Sequence, residues 1–275
     1  MATTTLRPRV GVVKLTSCDG CQLTILDLED ELLALTERFD IVDFPEATSD
    51  RSAGPYDILL VEGSISDPDQ VERIHDLRAR TRLLVLIGAC ATAGGIQAMR
   101  NWGSVDDWAS SVYPDPSLLR VLDRVTPVSD HVKVDAELRG CPISPDHLRE
   151  FLTALLVGRR PQLPDEAVCL ECKRRGYPCV IVAGGLSCLG PVTRSGCGAL
   201  CPAFGRGCYG CFGPREQPNV VALTGRFEAD GLTRAEAGRR FAGFTAWAEP
   251  FRAAIPEDGP ARPIRAASRG ASHAR

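Results

Sequence analysis

VGVVKLTSCDGCQLTIL, residues 10–26, joins a short apolar run to a run of helical periodicity through the loop Thr16-Ser17-Cys18-Asp19-Gly20-Cys21. Val10 to Leu15 suits a strand buried on both faces, and Leu23, Ile25, Leu26, Leu28, Leu32, Leu33 and Leu35 then recur at roughly helical spacing. Strand, loop, helix is the opening unit of an α/β fold. Further short apolar runs at Ile41 to Phe44, Ile58 to Val61 and Leu83 to Ile87 predict more strands of a parallel sheet. Helices are predicted at Asp69 to Arg80, Ala93 to Arg100 and Asp146 to Leu156, the last entered through Pro142 and Pro145. This alternation, running to about residue 160, predicts an open, doubly wound parallel sheet.

Such sheets carry their functional loops beyond the carboxyl ends of the strands. Cys18 and Cys21 follow the first strand, Cys90 follows Leu83 to Ile87, and Cys141 precedes the last helix of this half. The four are therefore expected at one sheet edge. Gly20, Gly88, Gly94, Gly95 and Gly140 flank them and let backbone approach a bulky group and turn N–H donors toward sulfur. A thioredoxin-like dithiol would account for Cys18 and Cys21 but leaves Cys90 and Cys141 unexplained.

From Leu163 the texture changes. Pro161 and Pro164 mark a linker, and eight cysteines follow: Cys169, Cys172, Cys179, Cys188, Cys197, Cys201, Cys208 and Cys211. The segment has few long periodic stretches, so it is expected to bury little apolar surface and to draw folding free energy from bound metal. Twelve cysteines in all, taken four at a time, correspond to three metal centres. Iron–sulfur clusters and structural zinc both use paired C-x-x-C, and spacing alone leaves both open. The dispersal of the first four over a sheet edge favours iron–sulfur. A zinc-stabilised scaffold without redox function is the alternative.

Composition narrows the rest. The N-terminus MATTTLRPRV has no apolar signal region, so a cytoplasmic location is expected, where disulfides are rare. No apolar run is long enough to span a bilayer, so no direct membrane insertion is expected. A net charge of -3 with dispersed basic residues gives no footprint for nucleic acid. Residues 256–275, rich in Ala, Arg, Gly, Ser and Pro, read as a flexible tail. Glu62, at a strand end, is expected to be solvated rather than to support a cluster or a subunit contact, and Asp19, between two ligands, to be structural rather than to assist proton movement. His75, His131, His147 and His273 lack metal-ligand spacing and are expected at surfaces or helix caps, while Trp102, Trp108 and Trp247 are expected in packing or interfaces.

The strings Leu15-Thr16-Ser17-Cys18-Asp19-Gly20-Cys21, Val61-Glu62-Gly63-Ser64-Ile65, Gly88-Ala89-Cys90-Ala91-Thr92-Ala93-Gly94-Gly95 and Gly140-Cys141-Pro142 resemble the small, electron-transferring subunit of nickel-iron hydrogenases. Gly196-Cys197-Gly198-Ala199-Leu200-Cys201-Pro202 and Arg206-Gly207-Cys208-Tyr209-Gly210-Cys211 resemble the cytosolic branch of that family, which includes NAD(P)-linked bidirectional hydrogenases and sulfhydrogenase delta subunits. The resemblance spans roughly residues 10–215. It implies a flavodoxin-like domain (1–160) with a proximal 4Fe-4S cluster on Cys18, Cys21, Cys90 and Cys141, and a small irregular iron–sulfur domain (161–255). There it assigns Cys169, Cys172, Cys179 and Cys188 to a distal 4Fe-4S cluster and Cys197, Cys201, Cys208 and Cys211 to a medial one. Exported uptake hydrogenases are similar in layout but have histidine where Cys169 stands and proline where Cys201 stands. Full thiolate sets imply lower potentials, which suits a nicotinamide acceptor.

The related subunit of complex I resembles the N-terminal half but uses adjacent cysteines and lacks the eight-cysteine extension. The family implies no catalytic residue in this chain: the nickel-iron centre belongs to a large subunit, and electrons leave toward iron–sulfur and flavin subunits that reduce NAD(P). A deazaflavin- or heterodisulfide-reductase-linked hydrogenase is the other reading of the acceptor.

Overall fold

A computed structural model describes residues 7–257. Five strands, β1 (Arg9–Lys14), β2 (Asp40–Asp43), β3 (Tyr56–Glu62), β4 (Thr81–Ile87) and β5 (Ala136–Leu138), form one sheet in the order β2-β1-β3-β4-β5, all neighbours parallel. That order is the flavodoxin-like one, with its switch point between β1 and β3. Register runs Val10↔Ile58 to Lys14↔Glu62 and Tyr56↔Thr81 to Glu62↔Ile87, so the three central strands end almost level.

Helices cover both faces. Val10, Val12, Ile58, Leu60, Val85 and Ile87 point to one side, where α1 (Gly20–Leu26) supplies Ile25 and a later helix supplies Leu148, Phe151 and Leu152. Val13, Leu59, Val61, Leu84 and Leu86 point to the other, against Ile74 and Leu77 of a helix at Pro68–Ala79. Alternate residues of each strand thus enter opposite cores, which is why the strands read as unbroken apolar runs.

After α1 come α2 (Asp30–Thr36), α3 (Pro68–Ala79), α4 (Gly88–Ala93), α5 (Val105–Val112) and α6 (Pro145–Leu156). The Asp67 carboxylate caps α3 by accepting the Gln70 N–H at 3.0 Å, and Ser144 caps α6, with proline in the first turn of each. The periodic run from Leu23 to Leu35 is two helices rather than one, parted at Glu29, which holds φ 48° while Leu28 turns into the core. The helix expected at Ala93 to Arg100 is instead α4 followed by a 3-10 turn at Ile96–Trp102.

The second half carries α7 (Val168–Arg174), α8 (Val180–Gly184), α9 (Leu200–Ala203), α10 (Val220–Ala229), α11 (Arg234–Phe241) and α12 (Glu249–Arg252). The expectation that this half buries little apolar surface is corrected here. Leu189, Val192, Leu223, Phe227, Phe241, Phe251 and Ile255 form a third core, with Phe241 and Phe251 edge to face at 5.5 Å. Each fully buried phenylalanine contributes about 1.5–3 kcal/mol of transfer free energy. The source is α10 to α12, which follow the last cysteine. Among the described residues no helix is long and apolar enough to cross a membrane. Beyond Glu257 the expected tail, with His273, lies outside the described residues.

Candidate metal centres

The first four cysteines meet where the strands end. Cys18 lies in the loop after β1, Cys21 in the first turn of α1, Cys90 in α4 directly after β4, and Cys141 just past β5. Asp19 takes the left-handed conformation (φ 67°) that bends the loop into α1, and its carboxylate pairs with Lys14 and accepts from Ser17 Oγ at 3.2 Å. Its carboxylate is held by side-chain donors rather than by backbone N–H groups.

Close approach of backbone to sulfur is built in. A Cβ on Gly88 would overlap Cys21 Sγ, and one on Gly95 would lie 2.6 Å from Cys90 Sγ. Gly88 also holds φ 84°, a conformation that suits glycine. Burial first, then the negative fields of Glu62, Cys90 and Cys141, push the Cys21 thiol far up. Burial followed by Cys90 and Cys18 pushes Cys141 up to about 11. Burial likewise raises Cys90, and Cys18 and Glu62 add to it. These thiols lie in one another's fields, so they ionise together only around a cationic group.

Glu62 departs from expectation. It is not solvated: only 2% exposed, it accepts the Cys21 N–H at 3.1 Å and the Gln22 side-chain amide at 2.9 Å. β3 delivers it under the first turn of α1, where those donors offset the cost of burying a carboxylate. Desolvation outweighs these bonds and raises its pKa.

The later eight cysteines occupy two adjoining places. Cys169 and Cys172 stand on α7, Cys179 caps α8, and Cys188 lies beyond it. Burial, then Cys188, Cys172 and Cys179, push Cys169 up to about 11. A Cβ on Gly190 would lie 3.3 Å from Cys188 Sγ and 3.5 Å from Cys169 Sγ. In the second place, burial, then Cys197, Cys141 and Cys201, push Cys211 up to about 12, and burial followed by Cys188 and Cys211 raises Cys208 well above the usual thiol range.

This second place lies between the other two. Cys141 gives a backbone hydrogen bond to the Cys211 thiol, and the Cys208 N–H donates to Cys188 Sγ at 3.1 Å. Further N–H donors reach sulfur from Gly190 to Cys188 at 3.4 Å and from Gly210 to Cys208 at 3.4 Å. All twelve cysteines are free of disulfides. Among the described residues no three or more His, Cys, Asp or Glu side chains are arranged to hold a single metal ion. Clustered thiols, glycine clearance and N–H donors aimed at sulfur fit an iron–sulfur group.

The remaining sequence candidates lie elsewhere. His131 shares a hydrogen bond with Thr126 Oγ1 at 2.7 Å, His75 stands on α3, and His147 packs edge-on against Phe212 at 6.1 Å. Trp102 and Trp247 pack edge to face at 5.3 Å, with the Arg252 guanidinium over Trp247 at 4.8 Å, and Trp108 lies against Gly103. Two residues of the sites are absent from the sequence candidates: Gln97, whose Oε1 lies 3.7 Å from Cys90 Sγ, and Glu171, which binds the loop of Cys197. The one sequence signal for Glu171 is its place inside Cys169-Leu170-Glu171-Cys172.

The family described as NADH ubiquinone oxidoreductase, 20 kDa subunit, matches residues 18–155. The delta subunit of sulfhydrogenase 2 from Pyrococcus furiosus is 37% identical over 87% of this chain and all of its own length. A subunit of the F420-non-reducing hydrogenase vhu from Methanocaldococcus jannaschii is 32% identical, covering 78% of this chain and 84% of that protein. A crystal structure of an NAD+-reducing [NiFe]-hydrogenase in its H2-reduced state aligns with a TM-score of 0.54 at 34% identity, over 57% of this chain and 96% of that one. With its parallel sheet, its strand-end cysteines and these relatives, the chain belongs to the family of the 20 kDa subunit of NADH ubiquinone oxidoreductase and, within it, to the small subunits of nickel-iron hydrogenases.

Proposed function

We propose that this subunit relays electrons from the hydrogen-activating site of a large nickel-iron subunit, by way of three 4Fe-4S clusters, to a further iron–sulfur or flavin subunit of a cytoplasmic complex. Cys18, Cys21, Cys90 and Cys141 would hold the proximal cluster, Cys197, Cys201, Cys208 and Cys211 the medial, and Cys169, Cys172, Cys179 and Cys188 the distal. Bound there, a cluster supplies one-electron redox chemistry. The chain's own residues bury the thiolates, give them N–H donors and keep them apart from bulk water, and those are the levers that set potential. Residues 1–160 and 161–255 act in this reading as two units, one carrying the first site and one the other two.

The observation that carries the proposal is the continuity of the cysteine sets: Cys211 adjoins Cys141, and Cys208 adjoins Cys188, so four thiols bridge two other groups of four. A diaphorase-type partner reducing NAD(P) is supported by the likeness to the NAD+-reducing hydrogenase, but that match is too short to reach from Cys18 to Cys211. Two relatives that cover most of this chain are subunits of a sulfhydrogenase and of an F420-non-reducing hydrogenase, and neither name carries a nicotinamide acceptor, so a hydrogenase linked to a heterodisulfide reductase is the second reading.

Anaerobic iron, acid-labile sulfide and zinc analysis of the native complex tests the core of the proposal. About twelve iron and twelve sulfide assigned to this subunit are expected. Stoichiometric zinc without sulfide would overturn it. Hydrogen-dependent reduction of NAD(P)+ by the same preparation, with viologen dye as control, then decides the acceptor.

A further inference from the structure

Glu171 stands on α7 between two cysteines assigned to one cluster, yet its carboxylate serves the loop of another. Its Oε1 accepts the N–H groups of Gly196 at 3.0 Å and Gly198 at 3.1 Å, and its Oε2 accepts the N–H of Ala199 at 3.1 Å. Three amides of the four-residue stretch 196–199, which contains Cys197, converge on this one side chain. An independent feature marks the same loop. Ala199 holds φ 56° while fully buried, a left-handed conformation rare for a residue with a Cβ. Gly198 precedes it at φ 66°, and consecutive residues of this kind turn their N–H groups into an anion-binding hollow. Here the anion belongs to the protein. The Arg175 guanidinium packs against Gly198 of the same loop.

We propose that Glu171 is a positioning residue that holds down the reduction potential of the cluster bound through Cys197. The inference rests on the iron–sulfur reading above. N–H groups bonded to cluster sulfur stabilise the extra negative charge of the reduced form and so raise its potential. Glu171 claims three such donors and adds negative charge beside Cys172, whose thiol it helps to raise after burial and the fields of Cys188 and Cys179. Both effects make reduction harder. The carboxylate also ties α7, bearing Cys169 and Cys172, to the strand of chain that enters α9 with Cys201, so the two later cysteine sets are set against each other by one side chain.

The test is an EPR-monitored redox titration, with iron counting, of the complex of this chain with its large subunit. Glu171→Gln keeps the shape but loses the charge and turns an amide N–H₂ toward one of the three N–H groups. It is expected to retain full iron and to make the cluster bound through Cys197 about tenfold easier to reduce, equivalent to about 59 mV for one electron, while a shift confined to the cluster of Cys169 and Cys172 would overturn the proposal. Glu166→Gln, five residues away at a carboxylate that pairs with Arg174, is expected to leave the potentials within a factor of two in reduced-to-oxidised ratio. The proposal is overturned if Glu171→Gln keeps its iron with unmoved potentials, if Glu166→Gln shifts them as far, or if Glu171→Gln sheds iron, which would make the residue a folding bracket alone. A wild-type complex with zinc in place of iron would instead remove the underlying reading.

Discussion

At Gly88 the backbone leaves β4 and enters α4 directly beneath the Cys21 sulfur. A Cβ there would overlap Sγ, and the φ of 84° strains any L-residue independently of space. Gly190 offers a contrast: its Cβ would meet Cys188 and Cys169 sulfurs at 3.3 and 3.5 Å, a tight but yielding contact. Gly88→Ala is therefore expected to lose the first site, about four of twelve iron atoms, while Gly190→Ala keeps most of its iron. Equal retention in both variants, by iron and sulfide analysis, would refute the close-packing argument. The convergence of Cys18, Cys21, Cys90 and Cys141 at one sheet edge was legible from residue type and spacing, because the first three follow strands of the parallel sheet and Cys141 leads into α6. Glu62 was not. Carboxylates are usually at the surface, and the donors that make its burial tolerable, the Cys21 N–H and the Gln22 amide, come from a helix about forty residues earlier in the chain. Glu171 was hidden for the same reason, since its three partners lie 25 to 28 residues on.

Among the elements, the central strands and the helices α3 and α6 were legible close to their ends, because apolar runs, proline in the first turn and capping residues all agree there. β5 was not: three residues, Ala136 to Leu138, carry too little pattern to stand out, and the strand exists because β4 offers it an edge. The split between α1 and α2 was equally silent, since the leucine spacing continues through Glu29. The helices α10 and α11 did carry a signal in Val220, Leu223, Thr224 and Phe227, and in Ala237 and Phe241, all buried at helical spacing. α11 begins with a reciprocal cap in which the Glu236 N–H donates to Thr233 Oγ1 at 3.3 Å and the Thr233 N–H donates to Glu236 Oε2 at 2.9 Å. Thr233→Ala is expected to cost about 1 kcal/mol, and Phe241→Ala, which opens a cavity between Phe227 and Phe251, about 3–5 kcal/mol. Urea unfolding of the two variants should order them so. A Phe241→Ala effect no larger than the cap's would mean that the third core is not what holds this half together.

Taken whole, the molecule rests on two different supports. The sheet is closed by apolar cores on both faces, and among their buried members Cys21 is the one cysteine. The third core counts Cys188 and Cys208 among its buried members and has Cys172 packed against it, so part of its wall is made of the proposed ligands. Between Val168 and Cys211 the regular structure is three short helices, and the loops joining them are pinned by hydrogen bonds to sulfur and to Glu171. Without the proposed metal, raised thiol pKa values leave Cys169, Cys208 and Cys211 protonated at neutral pH, and burial of a thiol gives little of what a ligand bond gives. Oxidation and chelation of the iron should therefore act unevenly. In hydrogen-exchange mass spectrometry, peptides from residues 168–211 are expected to exchange at least tenfold faster after iron removal, while β1, β3 and β4 keep their protection, because local opening follows local contact density. Peptides from α10 and α11 should fall between, held by Phe227, Phe241 and Phe251 but facing a loosened wall. Exchange that rises equally across β3 and residues 168–211 would mean that the two halves open as one cooperative unit and would set aside the division near residue 160.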